Sequence, residues 1–143
     1  RIGANNEDLQ QFFTPSHISS LMSDLVMNYS TDYPVHLIEP CCGSGSIIIG
    51  TIRSIKDHGI DYHRNVMVTA QDIDPICAYM IYVQLSLMGI KARIMRSDFA
   101  IKEDIPDEQI FFKPDHIPAE DIYYTPQYVA YAVELAMKAQ REQ

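Results

Sequence analysis

A chain of 143 residues, 47% apolar and 21% charged, has enough material for one hydrophobic core and is short for an enzyme carrying a separate recognition module. A formal charge of -8 argues against a surface that grips a phosphate backbone unaided, and no run approaches the roughly 20 apolar residues of a membrane helix. No signal peptide opens the sequence, which makes a cytoplasmic location the expectation, and the start at Arg1 rather than Met implies that sequence precedes it.

Residues 1 to 11 are polar and read as a loose arm. Ile18, Leu21, Met22, Leu25 and Val26 then recur at helical spacing, predicting a half-buried helix. Thr14 followed by Pro15 supplies its start, a hydroxyl cap with proline in the first turn. Val35 to Glu39 is a short apolar strand, and Gly45 to about Lys56 a helix ended near Gly59. Val66 to Gln71 reads as a second strand, Pro75 to Met88 as a helix closed by Gly89, and Lys91 to Arg96 as a third strand. Strands alternating with helices imply a parallel sheet with right-handed crossovers.

From Asp98 to Asp121, eight acids against Lys102 and Lys113 place -6 of the chain's charge in one stretch. With Pro106, Pro114 and Pro118, residues 98 to 124 read as an acidic, irregular, solvated connection. The last element is a helix over 125 to 141, opened by Thr125 and Pro126, with Val129, Ala132, Val133, Ala136 and Met137 on one face. Its start, IYYTPQYVAYAV, echoes QFFTPSHISSLM near the beginning, an echo that shared capping chemistry alone can produce. The 143 residues are read as a single domain. Cys41, Cys42 and Cys77 form neither a disulfide framework nor a zinc spacing, so no metal is expected.

The turn CCGSGSIII lies between the first strand and its helix, and three ligands compete for it. A nucleoside-triphosphate loop needs a lysine and a hydroxyl after its last glycine, where Ser46, Ile47 and Ile48 follow Gly45. A dinucleotide turn needs a third glycine for close helix packing, where Ile48 stands. S-adenosylmethionine has no phosphate. It asks for close backbone approach at this turn, an acid after the second strand for the ribose hydroxyls, and a polar group with an apolar wall at the adenine. Gly43 and Gly45, Asp72 in AQDIDP, and Asp98-Phe99 occur in that order at strand carboxyl ends, where open α/β sheets bind ligands. An acid so placed also serves as a helix cap or turn former.

QFFTP before an amphipathic helix, then EPCCGSGS, QDIDPICAYMIYVQLSLMGI and RSDF, together resemble the amino-group DNA methyltransferases, in the adenine-specific branch related to type I modification subunits and phage methylases. The resemblance covers about Gln11 to Phe99. It implies a Rossmann-like α/β fold dependent on S-adenosylmethionine, in reduced form, with parallel strands and flanking helices. It further implies that Thr14 and Pro15 lie beside the methionine end of the cofactor and that Glu39, Cys41, Gly43 and Gly45 form the cofactor loop. Asp72 would take the ribose, Ile73 the adenine face, Asp98 the adenine amino group, and Phe99 would pack on the ring.

The family's catalytic Asn/Asp/Ser-Pro-Pro-aromatic motif has no counterpart, because no Pro-Pro occurs in the chain. Lys113-Pro114-Asp115-His116 and Tyr124-Thr125-Pro126 lack its arrangement, so the catalytic residues are unassigned. Three functions follow as expectations. One is methyl transfer to the adenine amino group of DNA. Another is a non-catalytic or regulatory subunit. Under either, the chain is expected to meet DNA only through a partner subunit or a missing domain, as part of a homo- or hetero-oligomer. A methyltransferase acting on a small molecule or a protein is a third.

Overall fold

The computed structural model describes residues 5–6, 11–12, 16–26, 29, 34–98 and 117–141. Two short strands, β1 (Asn5–Asn6) and β2 (Gln11–Phe12), pair antiparallel within the stretch read as a loose arm and just after it. The main body runs α1 (Ser16–Val26), β3 (Val35–Glu39), α2 (Ser46–Asp57), α3 (Tyr62–Asn65), β4 (Val66–Asp72), α4 (Pro75–Leu87) and β5 (Lys91–Arg96). A single 3-10 turn (Ala119–Asp121), β6 (Ile122–Tyr124) and α5 (Pro126–Arg141) complete it.

The four-stranded sheet has the order β3-β4-β5-β6, with the first three strands parallel and β6 antiparallel to β5. Parallel neighbours require long crossovers, and here α2 with α3, and then α4, supply them. The register sets Glu39 beside Ala70 and Asp72 beside Arg96, so the chain leaves β3, β4 and β5 at one edge of the sheet. This is the Rossmann-like α/β arrangement that the alternation of elements implies.

Side chains alternate between the two faces of the strands. Val68, Ala70, Ala92 and Ile94 join Ile48, Ile52 and Ile55 of α2 and Ala78, Ile81 and Leu85 of α4 in one core. The other set is more polar: His36 Nε2 lies 3.0 Å from Thr69 Oγ1, and Arg93 Nη2 donates to the same oxygen at 3.5 Å. Arg93 is 2% exposed, and burial lowers its pKa, opposed by the nearby hydroxyls of Tyr128 and Tyr124. A short cluster of Met95, Ile117 and Ile122, with Tyr124 against it, anchors the return of the chain into β6.

Two helices bury a different side from the one their apolar spacing implies. Ile18, Leu21, Met22 and Leu25 of α1 are exposed, whereas Ser19 is fully buried. The contact of α1 with α2 is polar: Ser54 Oγ donates to Asp24 Oδ1, and Tyr29 donates to the same carboxylate at 2.7 Å while its ring stacks on His58. These bonds hold the Asp24 pKa below the ordinary carboxylate value. In α5, Val129, Val133 and Met137 face outward, and Tyr128 and Ala132 are the buried pair. The cause lies at its first turn. Thr125 donates from Oγ1 to Ile90 O at 2.6 Å and accepts from Ala92 N at 2.9 Å and Tyr128 N at 3.4 Å, fixing the rotation of the helix on β5.

Thr125 therefore caps α5 and pins it to the sheet at once. Thr125→Val keeps the shape but removes the cap, worth about 1 kcal/mol, and leaves a buried amide unsatisfied at about 1–3 kcal/mol. Urea unfolding is expected to register a loss of about 2–4 kcal/mol; a change below about 0.5 kcal/mol contradicts the double role.

Candidate functional site

Pro40, which has no amide hydrogen to donate, follows β3, and the chain turns over residues 40–45 into α2. Several bonds anchor this turn. Cys41 N donates to Glu39 Oε1 at 3.2 Å, Cys42 N to Gln71 O at 2.8 Å, and Gly45 N to Cys42 O at 2.8 Å. Gly43 N donates to Asp72 Oδ2 at 2.7 Å, and Gln84 Nε2 of α4 donates to Ser44 O at 2.8 Å. The turn is thus held by the strand it leaves, by the end of β4 and by α4.

Its two glycines have different reasons. Gly45 has φ 89°, and a Cβ there would lie 1.9 Å from Ile81 Cδ1, so α4 packs directly on this backbone. Gly43 has φ 52°, and among the described residues nothing lies within 4 Å of a notional Cβ. Cys42 is buried, and burial first, then the neighbouring Asp72, Cys77 and Glu39, pushes its thiol pKa up, so it stays protonated at neutral pH. Cys41 is exposed.

Asp72 ends β4 and is 9% exposed. Besides Gly43, it accepts from Asp74 N through Oδ1 at 2.9 Å. Capping of α4 falls to Asp74, whose Oδ1 accepts from Ile76 N at 2.9 Å, with Pro75 opening the helix. Asp72, an acid so placed that it could itself have been a helix cap, is therefore not the cap of α4. The end of β5 is tied to the same place: Ser97 N donates to Asp72 O at 3.0 Å, and Gln71 Nε2 donates to Ser97 O at 3.1 Å.

Beside these acids lies a cavity of about 460 Å³ lined by residues from three segments. Ile73 and Pro75 come from the turn after β4, Arg96, Ser97 and Asp98 from the end of β5, and Ile117, Pro118 and Asp121 from the approach to β6. The Arg96 and Asp121 side chains form an ion pair at 3.1 Å.

Of the residues expected from sequence, Glu39, Cys41, Gly43, Gly45 and Asp72 meet at the turn, and Ile73 and Asp98 line the adjoining cavity. Thr14, Pro15 and Phe99 lie outside the described residues. Sequence reasoning missed Gln71, Gln84, Arg96, Ile117, Pro118 and Asp121. Gln71 carries a signal, a long polar side chain at the end of the largely apolar strand VMVTAQD. Ile117 to Asp121 carry none, since they sit in the acidic stretch read as a solvated connection. Among the described residues no helix is long and apolar enough to cross a membrane.

A family model described as N-6 DNA Methylase matches residues 3–113. No curated protein matches the chain. Among solved structures, the chain is similar to a crystal structure of a modification subunit of a putative type I restriction enzyme from Vibrio vulnificus YJ016, with a TM-score of 0.47 and 15% identity. That similarity covers 64% of this chain and 20% of the other, so the chain spans about a fifth of that subunit. The family match takes in more than half of the 143 residues, from before α1 to beyond β5, and the chain belongs to the N-6 DNA methylase family.

Proposed function

We propose that this chain is the S-adenosylmethionine-binding part of a DNA adenine methyltransferase, and that DNA grip and the target-base pocket come from a partner subunit or a further domain. The observation that carries the reading is the 2.7 Å bond between Gly43 N and the Asp72 carboxylate, which joins the glycine turn and the strand-end acid in one crevice beside the cavity of Ile73 and Asp98. Ligands of open α/β sheets bind at such strand carboxyl ends.

The residues present fit the cofactor. Among the described residues nothing crowds Gly43, which admits a ligand against the backbone. Asp72 uses two of its roughly four lone-pair sites on Gly43 N and Asp74 N, leaving acceptor capacity for ribose hydroxyls. Ile73, 60% exposed, offers an apolar surface to the adenine, and Asp98 an acceptor for its amino group. Glu39, Cys41 and Gly45 shape the loop, and Thr14, Pro15 and Phe99 complete the proposed set around the methionine end and the ring. When bound, the cofactor supplies a methyl group activated by its sulfonium. The chain's own residues hold and orient it; none is assigned to the target amine.

A non-catalytic subunit is the second reading, favoured by the absence of Pro-Pro from the sequence. A net charge of -8, most of it following β5, repels phosphates where a target strand would approach. The chain alone is expected to show no duplex binding at about 0.15 M salt and tens of micromolar protein, and no transfer of labelled methyl to mixed DNA. Tight, salt-dependent duplex binding together with methylated adenine would overturn the need for a second component.

A further inference from the structure

Helix α4, PICAYMIYVQLSL, carries no charged side chain, which among the described helices is true of no other. A helix that is apolar all round belongs in an interior, yet only one side of this one is covered. Cys77, Ala78, Ile81 and Leu85 are buried on the side that meets the sheet. On the opposite side Ile76, Met80, Val83 and Leu87 are 65, 43, 51 and 84% exposed. At 3.6 residues per turn these four positions fall within about 60° of arc, so they form one narrow seam. Tyr79 flanks it, its ring meeting that of Tyr123 edge-on at 5.5 Å.

The steps along the seam, four, three and four residues, are those of the a and d positions of packed helix pairs. They read the same in either direction. An antiparallel copy of α4 turned about a twofold axis would set Ile76 opposite Leu87 and Met80 opposite Val83, closing every position with an apolar one. The seam and Tyr79 together expose about 600 Å² per copy, so a twofold contact buries on the order of 1,200 Å², which reaches the range of stable association. Charge points to the same occupant. Two copies at -8 each repel, and an uncharged helix lets them meet without setting like charges face to face.

We propose that the outer face of α4 is a homodimer interface, in which Ile76, Met80, Val83 and Leu87 pack antiparallel against the same residues of a second copy. The interface goes beyond the proposed cofactor role and does not rest on it.

Sedimentation velocity of the whole chain from about 1 to 100 μM tests the proposal, with circular dichroism checking the fold of each variant. Wild type is expected to pass from monomer to dimer within that range. Val83→Glu and Met80→Lys each place a charge in the apolar seam and are expected to weaken the dimer at least tenfold; both positions are exposed in the single chain, so both variants fold. Mixed in equal amounts, the two variants are expected to form dimers again, because the antiparallel register sets the lysine of one chain opposite the glutamate of the other. A wild type that stays monomeric throughout overturns the proposal. Dimers that persist in both folded single variants place the contact on another face and also overturn it. Single variants that dissociate but fail to recover on mixing overturn the antiparallel pairing of Met80 with Val83.

Discussion

Gly45→Ala is expected to be among the most damaging single-methyl additions in the chain. The backbone there is left-handed at φ 89°, which costs an alanine about 1–2 kcal/mol. The added carbon would also meet Ile81 Cδ1 at 1.9 Å and Cγ1 at 2.9 Å. A flexible side-chain end can often move aside, but Ile81 is fully buried in the core shared by α2 and α4, so moving it displaces other packed atoms. Overpacking of this kind costs about 1–3 kcal/mol, for a total near 2–5 kcal/mol, a large share of the usual stability of a domain. Gly43→Ala is the control: φ is 52° and among the described residues nothing lies within 4 Å, so the backbone term of about 1–2 kcal/mol is expected. Denaturant unfolding of both variants distinguishes them. Equal losses at the two positions contradict the close approach of α4.

Asp72→Ala is expected to weaken S-adenosylmethionine binding by at least tenfold. A carboxylate accepting two ribose hydroxyls makes charge-assisted bonds of about 1.5–3 kcal/mol each, and their loss exceeds the 1.4 kcal/mol that corresponds to a factor of ten. The same substitution also releases Gly43 N and Asp74 N, so stability falls as well. Asp74→Ala separates the two effects, because Asp74 caps α4 through Ile76 N. It should cost about 1 kcal/mol of stability and leave affinity unchanged. Calorimetry showing wild-type affinity for folded Asp72→Ala, or equal affinity losses for Asp72→Ala and Asp74→Ala, removes the ribose role.

The strands of the parallel sheet were legible because each is a short segment, at least half apolar, between turn residues. Lys91 to Arg96 matches its expected limits, and Val66 onward extends one residue further to Asp72. Helices announced by proline and closed by glycine were equally plain: α4 starts at Pro75, and Gly89, at φ 66°, follows its cap. Which side each helix buries was not legible. In α1 the apolar positions Ile18, Leu21, Met22 and Leu25 face out while Ser19 is buried, and Asp24 bonds Ser54 of α2, a polar contact that periodicity does not weigh. Strand β6 was missed for a related reason. Three residues, Ile122 to Tyr124, follow a run of acids and prolines, and only the tertiary pairing of Ile94 with Tyr123 makes them a strand.

The candidate site divides along the same line. Gly43, Gly45 and Asp72 stand out in sequence because local backbone geometry and strand ends demand particular residue types. Their meeting depends on the parallel register, and the 2.7 Å bond across the crevice is a property of the assembled sheet. Ile117, Pro118 and Asp121 reach the cavity only through the antiparallel return of β6, which no local pattern announces.

Calorimetric titration of S-adenosylmethionine into the folded chain tests the central proposal most directly. Saturable binding at one cofactor per chain, lost by at least tenfold in Asp72→Ala, is the expected result. A folded chain that yields no saturable heat with S-adenosylmethionine would contradict it.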